Sequence, residues 1–429
     1  MNLVKNLMQL NLAKPAKITV MGDVMTDRYV SGHFEQGQDD CPKFVEERCL
    51  EVPGGAGNAL RSLAGWGGYF IGDDSERGSI KTRYLVNGKI VFRHDSDVLT
   101  LADNADEVAY RELLRAKPDG VLLSDYDKGN LSPELIRKVI GYAKDRGIPC
   151  VVDAKREPSI YKGAVIKGNL DYARRYGECA GMEPSMVLTQ GSFDPCLMGR
   201  KHAARIRMTL PRVECKNHVG AGDCFAAHLT LALAHGFSLE DAATVAHSAG
   251  RVYVQHPFNR PPYPHEIARD MDPVDGKILD AHSLPALQKS MTGAMVWANG
   301  CFDLFGPHHL HLLREASKLG SVLVVGINDD EGVHRLKGVS RPVMPLEQRA
   351  RLIASLECVA WVVPFSGDAP VKELEILQPD VRVRADLPGA NTAGDEHVKS
   401  VRLIEPLAGW STTGTVKRIM RMPYVAPLG

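Results

Sequence analysis

The tetrapeptide Gly220-Ala221-Gly222-Asp223 precedes an apolar run from Cys224 to Ala234, and residues of these types in this order can do chemistry. Glycines let backbone amides close on an anion, and a helix start adds its partial positive charge. An aspartate there suits plain phosphate binding poorly, because like charges repel. It has a use if it takes the proton of a hydroxyl that attacks a γ-phosphate. The plainer alternative is a glycine turn whose aspartate caps a helix. A second group lies in the last third of the chain. Asn299-Gly300-Cys301-Phe302-Asp303 leads from an apolar strand pattern to a helix start at His308-His309. Imidazoles beside a glycine turn can donate to nucleotide phosphates. Ser411-Thr412-Thr413 opens another helix, with Lys417 and Arg418 one turn on. Two helix starts facing one cleft bind a triphosphate and stabilise charge on a pentavalent α-phosphate. A histidine pair kept for packing is the plainer alternative.

The elements that must hold these groups read as two β-α-β series. Ile18–Gly22, Gly120–Asp125 and Pro149–Asp153 are buried-strand patterns, and Ser132-Pro133-Glu134 starts a helix that ends near Gly147. Ser238-Leu-Glu-Asp241 is a capping-box pattern. This rhythm predicts a largely parallel sheet with helices on both faces. From Phe258 to Pro285 prolines punctuate the chain, and the boundary is placed near Ser283 to Gly293, giving domains 1–285 and 286–429. The second series runs through strands at Met295–Asn299, Val322–Ile327, Val359–Phe365 and Val401–Ile404. Its helices are expected over His308–Leu319, over Leu346–Leu356 and from Ser411.

Composition narrows the class. At 429 residues two domains are the default. Lys+Arg and Asp+Glu both total 52, so no global field recruits nucleic acid or an acidic membrane. The nine cysteines form no Cys-x-x-Cys pair, which argues against a zinc site and a disulfide framework and favours a reducing cytoplasm. Residues 1–14 show no apolar leader and no stretch approaches 18 apolar residues.

Motifs around the first turn resemble the ribokinase (PfkB) family of sugar kinases. Gly22-Asp23-Val24-Met25 with Asp27-Arg28-Tyr29, then Pro53-Gly54-Gly55-Ala56-Gly57-Asn58, Ser124-Asp125-Tyr126, Lys128-Gly129, Asp153-Ala154-Lys155 and Asn169 follow in the family's order. The resemblance covers residues 15–270 and implies a ribokinase-like α/β domain. It makes Asp223 the catalytic base and the amides of Gly220, Ala221 and Gly222 the anion hole. Asp27, Gly54, Gly55 and Asn58 are then sugar ligands, and Asn169, Thr189 and Gly191 lie near ATP and Mg2+. Three departures stand out. Between Gly68 and Lys81 the chain is about thirty residues short of the family pattern, the size of one β-α unit. The family's Asn-x-x-Glu magnesium motif reads Asn169-Leu-Asp-Tyr172. The nucleotide loop Thr189-Gln-Gly191-Ser-Phe-Asp lacks its second glycine.

The second group resembles the cytidylyltransferase-like nucleotidyltransferases over residues 294–420, a smaller Rossmann-like domain. Arg335-Leu-Lys-Gly338, Arg341-Pro342 and Pro345-Leu-Glu-Gln-Arg349 carry this with the histidines. His309 is then catalytic. Asn299, Gly300, Phe302, His308, Lys337, Ser411, Thr412 and Thr413 bind ATP, with Lys337 on the pyrophosphate side and Arg349 ordering a loop. Here the family's His-x-Gly-His falls on Gly306-Pro307-His308-His309, and its Lys-Gly-Gly falls on Arg384-Ala385-Asp386. Both halves together are most similar to the bifunctional heptose 7-phosphate kinase/heptose 1-phosphate adenylyltransferase family. That implies ATP and Mg2+ as cofactors, no side-chain metal site, and small sugar phosphates and nucleotides as partners. It implies no nucleic acid and no membrane, a cytoplasmic location, and scope for a homodimer through the kinase domain. Two other readings stay open: the same folds acting on another sugar phosphate or nucleotide, and a ligand-binding protein with one or both sites degenerate.

Overall fold

The computed structural model describes residues 16–421 except 38–40, 65, 67, 71–78, 98–103, 177–185, 199–202, 207–209, 388 and 390. The leader expectation for residues 1–14 and most of the short stretch after Gly68 lie outside the described residues.

The first compact unit, Ala13–Pro262, is built on a sheet of eight strands. In spatial order they are β12 (Ala203–Arg205), β11 (Phe193–Met198), β10 (Met186–Gln190), β9 (Val165–Asn169), β8 (Cys150–Asp153), β7 (Gly120–Ser124), β1 (Ile18–Gly22) and β4 (Gly68–Phe70). Pairing is parallel from β4 through β10 and antiparallel at β11 and β12. Its central strands β1, β7 and β8 are buried along their whole length, which is why they read as continuous apolar runs. Helices α2 (Ala105–Ala116) and α3 (Pro133–Arg146) bury Leu113, Leu135, Ile136 and Val139 with Val121, Leu123, Val152 and Ile166 of the sheet. The α3 boundaries follow the expected signals. Ser132 Oγ accepts from Leu135 N at 3.0 Å, and Gly147 closes the helix in the left-handed region at φ 65°.

Helix α5 (Ala221–Ala234) packs on β7 and β8 and against α6 (Leu239–Val254). It is apolar on nearly every side, which marks a helix enclosed within the unit. Its first turn therefore presents Gly220–Asp223 from a rigid element at the carboxyl ends of the parallel strands, where open α/β sheets bind ligands. Short helices α1 (Ala56–Ser62) and α4 (Leu170–Tyr176) follow the Gly54-Gly55 pair and Asn169 respectively.

A second sheet escaped the sequence reading. Strands β3 (Pro42–Gly55), β2 (Val24–Gln36), β5 (Ser79–Val86) and β6 (Lys89–Ser96) form a four-stranded layer, with β2 parallel to β5 and antiparallel at both edges. Strands β3 and β6 expose much of their length, and all four carry charges, so the layer lacks the buried-strand signature used to find β1, β7 and β8.

The second unit spans Tyr263–Gly429. Its sheet is parallel, in the order β15 (Trp361–Phe365), β14 (Val322–Asn328), β13 (Met295–Gly300), β16 (Val381–Ala385) and β17 (Ser400–Ile404). Strand order reverses at β13, so a crevice opens at the carboxyl ends of β13 and β16. Helices α9 (Pro307–Ser317), α10 (Asp330–Lys337), α11 (Leu346–Ala354), α12 (Val371–Leu377) and α13 (Thr412–Met420) complete the Rossmann-like core. The segment before β13, with α7 (Pro264–Met271) and α8 (Leu284–Ser290), packs with this unit although the proline pattern grouped it with the first. Leu279 N donates to Val362 O at 2.8 Å and Lys277 Nζ to Ala354 O at 2.9 Å, tying the segment to β15 and α11.

Candidate active sites

In the first unit Asp223 is buried and held from two sides. Tyr126 donates its hydroxyl to Asp223 Oδ1 at 2.6 Å, and Asn58 Nδ2 donates to Oδ2 at 3.0 Å. Asn58 Nδ2 also donates to Gly220 O at 3.0 Å, and the Tyr253 hydroxyl donates to Asn58 Oδ1 at 3.2 Å. Gly220 is obligatory at this crossing: its φ is +81°, and a Cβ would stand 2.3 Å from Asn58 Nδ2. Burial, followed by the charge of Asp153, raises the Asp223 carboxyl to about 6, while Tyr126, Asn58 and Lys167 pull it back. A carboxylate tuned this close to neutrality is matched to accepting a proton.

Tyr126 is itself placed by a buried acid. Asp23 accepts from the backbone amides of Tyr126, Lys128 and Asn130 at 2.7, 3.1 and 3.1 Å. Lys81 and Lys155 place their ammonium groups 4.7 and 4.9 Å from the Tyr126 ring centre.

These groups open onto a cavity of about 470 Å3 lined by Asp27, Gly55, Lys81, Arg83, Arg93, Tyr126, Asn169, Gly220 and Asp223, among others. The four-stranded sheet forms one wall. Asp27 and Arg83 make a buried ion pair at 2.7 Å, Lys81 is held below its ordinary range by burial, and Arg93 pairs with Asp95 at 2.5 Å. Gly54 packs against Asp27, where a Cβ would meet Oδ2 at 2.7 Å. The structure thus brings Asp27, Gly54, Gly55, Asn58 and Gly220–Asp223 together.

Asn169 lines the same cavity, and its side-chain oxygen accepts from Tyr172 N at 2.9 Å, capping α4. Thr189 pairs with Asn169 across β9 and β10 and donates to Gly168 O at 3.2 Å. Gly191 forms the exposed turn after β10. Sequence reasoning did not single out Lys81, Arg83, Arg93, Tyr253 or Lys167, and it placed Tyr126 only as a motif member. The basic residues sit on strands it did not assign, and Tyr253 lies in the last turn of α6 with no local signal.

The residues around Asn169 do not fit a protein-held magnesium ion. Asp171 is exposed and paired with Arg174 at 3.3 Å, Tyr172 stands where the family motif has its acid, and Asp153 is paired with Lys167 at 3.0 Å. Among the described residues no group of three or more His, Cys, Asp or Glu could hold a metal.

In the second unit the crevice gathers both helix starts. His308 Nε2 and the Thr412 hydroxyl lie 3.2 Å apart, joining the first turns of α9 and α13. Gly306 N donates to His309 Nδ1 at 3.1 Å. A backbone amide can only donate, so this bond assigns Nδ1 as acceptor and puts the proton of the neutral ring on Nε2. Burial first, then His308 and Lys337, lowers His309 to about 4, so the ring is neutral at pH 7. It is packed between Phe302 and Phe305, with ring centres 5.4 and 5.6 Å away. Phe302 is buried and Gly300 lies beneath its ring, so Phe302 serves as a wall for the histidine.

Asn299 Oδ1 accepts from Trp297 Nε1 at 3.2 Å and from Arg382 at 3.4 Å. Ser411 caps α13 by accepting from Gly414 N at 3.0 Å, while Thr413 and Lys337 are exposed. Arg349 is fully buried and donates to the carbonyls of Cys301, Asn328 and Met344 and to Asp330, tying the Asn299–Asp303 turn to α10 and α11. Arg382 and Arg384 share Asp395, both at 2.8 Å.

The pH dependence of the first site follows from Asp223. An Asp223 that serves as a base must be ionised to accept a proton, so kcat/KM for phosphoryl transfer to a hydroxyl should then be flat above pH 7. It should fall about tenfold per unit once pH drops below about 6. A pH–rate profile of ADP release checks this, and a profile level down to pH 4.5 rejects Asp223 as the base.

Each unit contains a match to a known family model. Residues 178–266 match the pfkB family carbohydrate kinase model, and residues 297–414 match the cytidylyltransferase-like model. The chain is 31% identical to the bifunctional protein HldE of Acidiphilium cryptum, over 94% of this chain and 96% of that protein. It is also 31% identical to the bifunctional protein HldE of Citrifermentans bemidjiense, over 95% and 97%. Among solved structures, Arabidopsis thaliana ribokinase complexed with ribose and ATP aligns at 15% identity with a TM-score of 0.45, over 60% of this chain and 99% of that one.

Proposed function

The chain belongs to the family of bifunctional HldE proteins, a sugar kinase and a nucleotidyltransferase in one polypeptide, and from that premise we propose a role for each residue of the two sites. The kinase unit phosphorylates the anomeric hydroxyl of a heptose 7-phosphate, and the second unit joins a heptose 1-phosphate to the adenylyl group of ATP. Every kinase residue precedes the segment 263–290 and every transferase residue follows it, in keeping with functional domains 1–285 and 286–429.

The observation that carries the kinase reading is the doubly tethered Asp223 at the start of α5, facing a cavity with a cationic wall. The sugar hydroxyl gives its proton to Asp223 as its oxygen bonds to the γ-phosphorus. The bond from that phosphorus to the bridging oxygen breaks, and ADP leaves. The amides of Gly220, Ala221 and Gly222 and the positive end of α5 stabilise charge on the transferred group. Asp27, Gly54, Gly55 and Asn58 orient the sugar. Lys81, Arg83 and Arg93 receive its distal phosphate, because they are the cations that line the cavity away from the anion turn.

In the transferase unit the attacking phosphate is already an anion and needs no base. His309 Nε2–H donates to the α-phosphate as negative charge accumulates and pyrophosphate departs. His308, Thr412 and the free amides of α9 and α13 hold the triphosphate. Lys337 meets the pyrophosphate, and Asn299 and Gly300 border the nucleotide. ATP serves both sites, with Mg2+ arriving on its phosphates. Location in the cytoplasm fits eight described cysteines that are all free, and no described helix is long and apolar enough to cross a membrane. A homodimer through the kinase domain fits the ring ladder Phe34–Phe44–Tyr84–Phe92 on the exposed sheet.

Arg93→Ala tests the substrate assignment on an exposed residue. It should raise KM for heptose 7-phosphate roughly tenfold or more while leaving KM for ATP within about twofold. Equal loss for phosphorylated and unphosphorylated sugars would reject the phosphate contact.

A further inference from the structure

The kinase site holds a buried lysine that the mechanism above does not use. Lys167 is 3% exposed and Asp153, its ion-pair partner, is 1% exposed. They are directly paired across β8 and β9, and cross-strand partners project to one face of a sheet. Asn169, two residues on, shares that face, and Thr189 pairs with it from β10. The face is covered by the start of α5. A Cβ built on Gly222 would lie 2.7 Å from Lys167 Nζ and 4.0 Å from Asp153 Oδ2. The glycine that lets the anion turn close is thus also the one that admits the ammonium.

An ammonium has three donors. Among the described residues Lys167 spends one, on Asp153 Oδ1 at 3.0 Å. Asp153 Oδ2 is buried on the same side and has no hydrogen-bond partner. Burial alone would push Asp153 up, but Lys167 and Lys155 hold it below its ordinary range, so its carboxylate stays ionised. A charged donor left two bonds short beside an anion turn is built to receive an anion, since unspent buried donors are costly. The same strand end is where the Asn-x-x-Glu motif has lost its acid to Tyr172.

We propose that Lys167 is a phosphate ligand of the kinase site, bringing to the nucleotide the positive charge that a protein-held magnesium ion would bring. The proposal rests on the kinase reading of this unit. Lys167 donates its two free protons to nucleotide phosphate oxygens lying against Gly220–Asp223, and Asp153 holds it in place.

The test is calorimetric titration of the full-length protein with ATP in excess EDTA, so binding is read without turnover. The wild type should take up ATP at both units. Lys167→Met should weaken one of the two equivalents by about tenfold or more, and Lys167→Arg should keep it within about threefold. The double variant Lys167→Met/Asp153→Asn removes the pair without leaving a buried charge, and should bind as weakly as Lys167→Met. It also decides the matter if Lys167→Met alone does not fold. Unchanged binding in Lys167→Met overturns the proposal, as does recovery in the neutral double variant, because Lys167 would then only balance Asp153. A wild type that needs magnesium for both equivalents overturns it too. ADP release from heptose 7-phosphate is measured in parallel. A protein that loses the Lys167-dependent equivalent yet never forms ADP keeps this ligand assignment and loses the kinase reading.

Discussion

Asp223→Asn should lower kinase turnover on the order of 10³-fold, leaving ATP binding and adenylyl transfer intact. The expectation comes from how the carboxylate is held. Asn58 Nδ2 donates to one oxygen and the Tyr126 hydroxyl to the other. An asparagine can place its oxygen towards Asn58 and its amino group towards Tyr126, whose hydroxyl turns to accept. Shape and both tethers survive, and the anion turn keeps its amides. What disappears is the lone pair that receives the sugar proton. Coupled assays on one sample separate the outcomes: ADP release should collapse while pyrophosphate release is unchanged. Turnover within tenfold of wild type would remove Asp223 from the role of base. Loss of both activities together would point to unfolding.

The parts of the fold legible in the sequence are those whose burial leaves a local signature. Strands β1, β7, β8, β13 and β14 are mostly apolar because helices cover both faces, and Ser132, Gly147 and Ser238 mark helix ends by their own hydrogen bonds or backbone angle. The four-stranded sheet was not legible, since β6 is exposed at every residue and has no periodic apolar face. Its loss from the reading took Lys81, Arg83 and Arg93 with it. The glycine turn and the histidine pair announced themselves, but Tyr253 and Lys167 did not. Each acts through a partner 195 or 14 residues away in the chain, and no local pattern encodes that distance. In the segment 263–290 prolines interrupt any periodic pattern, while Leu279 bonds to β15 and Lys277 to α11, partners 83 and 77 residues away that no local pattern encodes.

His308→Gly should cost adenylyl transfer about 10²-fold, and adding Gly306→His should return most of it. Gly306 stands where the nucleotidyltransferase signature has its first histidine, which by sequence alone leaves the site one imidazole short. The geometry offers a replacement. A Cβ at residue 306 would come within 3.3 Å of Cε1 and Nδ1 of His308, so the His308 ring occupies the space a side chain at 306 would enter. It leans on His309 with ring centres 3.9 Å apart, its Nε2 reaches Thr412, and its Nδ1 is buried without a partner. Burial keeps it below its ordinary range, so at pH 7 the neutral ring can offer one N–H to a phosphate oxygen. Gly306→His alone should therefore also lower transfer, because two rings compete for one place. The exchange Gly306→His/His308→Gly removes the conflict and puts a glycine where the helix start approaches the triphosphate. Pyrophosphate release from ATP and heptose 1-phosphate measures all three variants. If His308→Gly is as active as wild type, His308 is packing and His309 works alone.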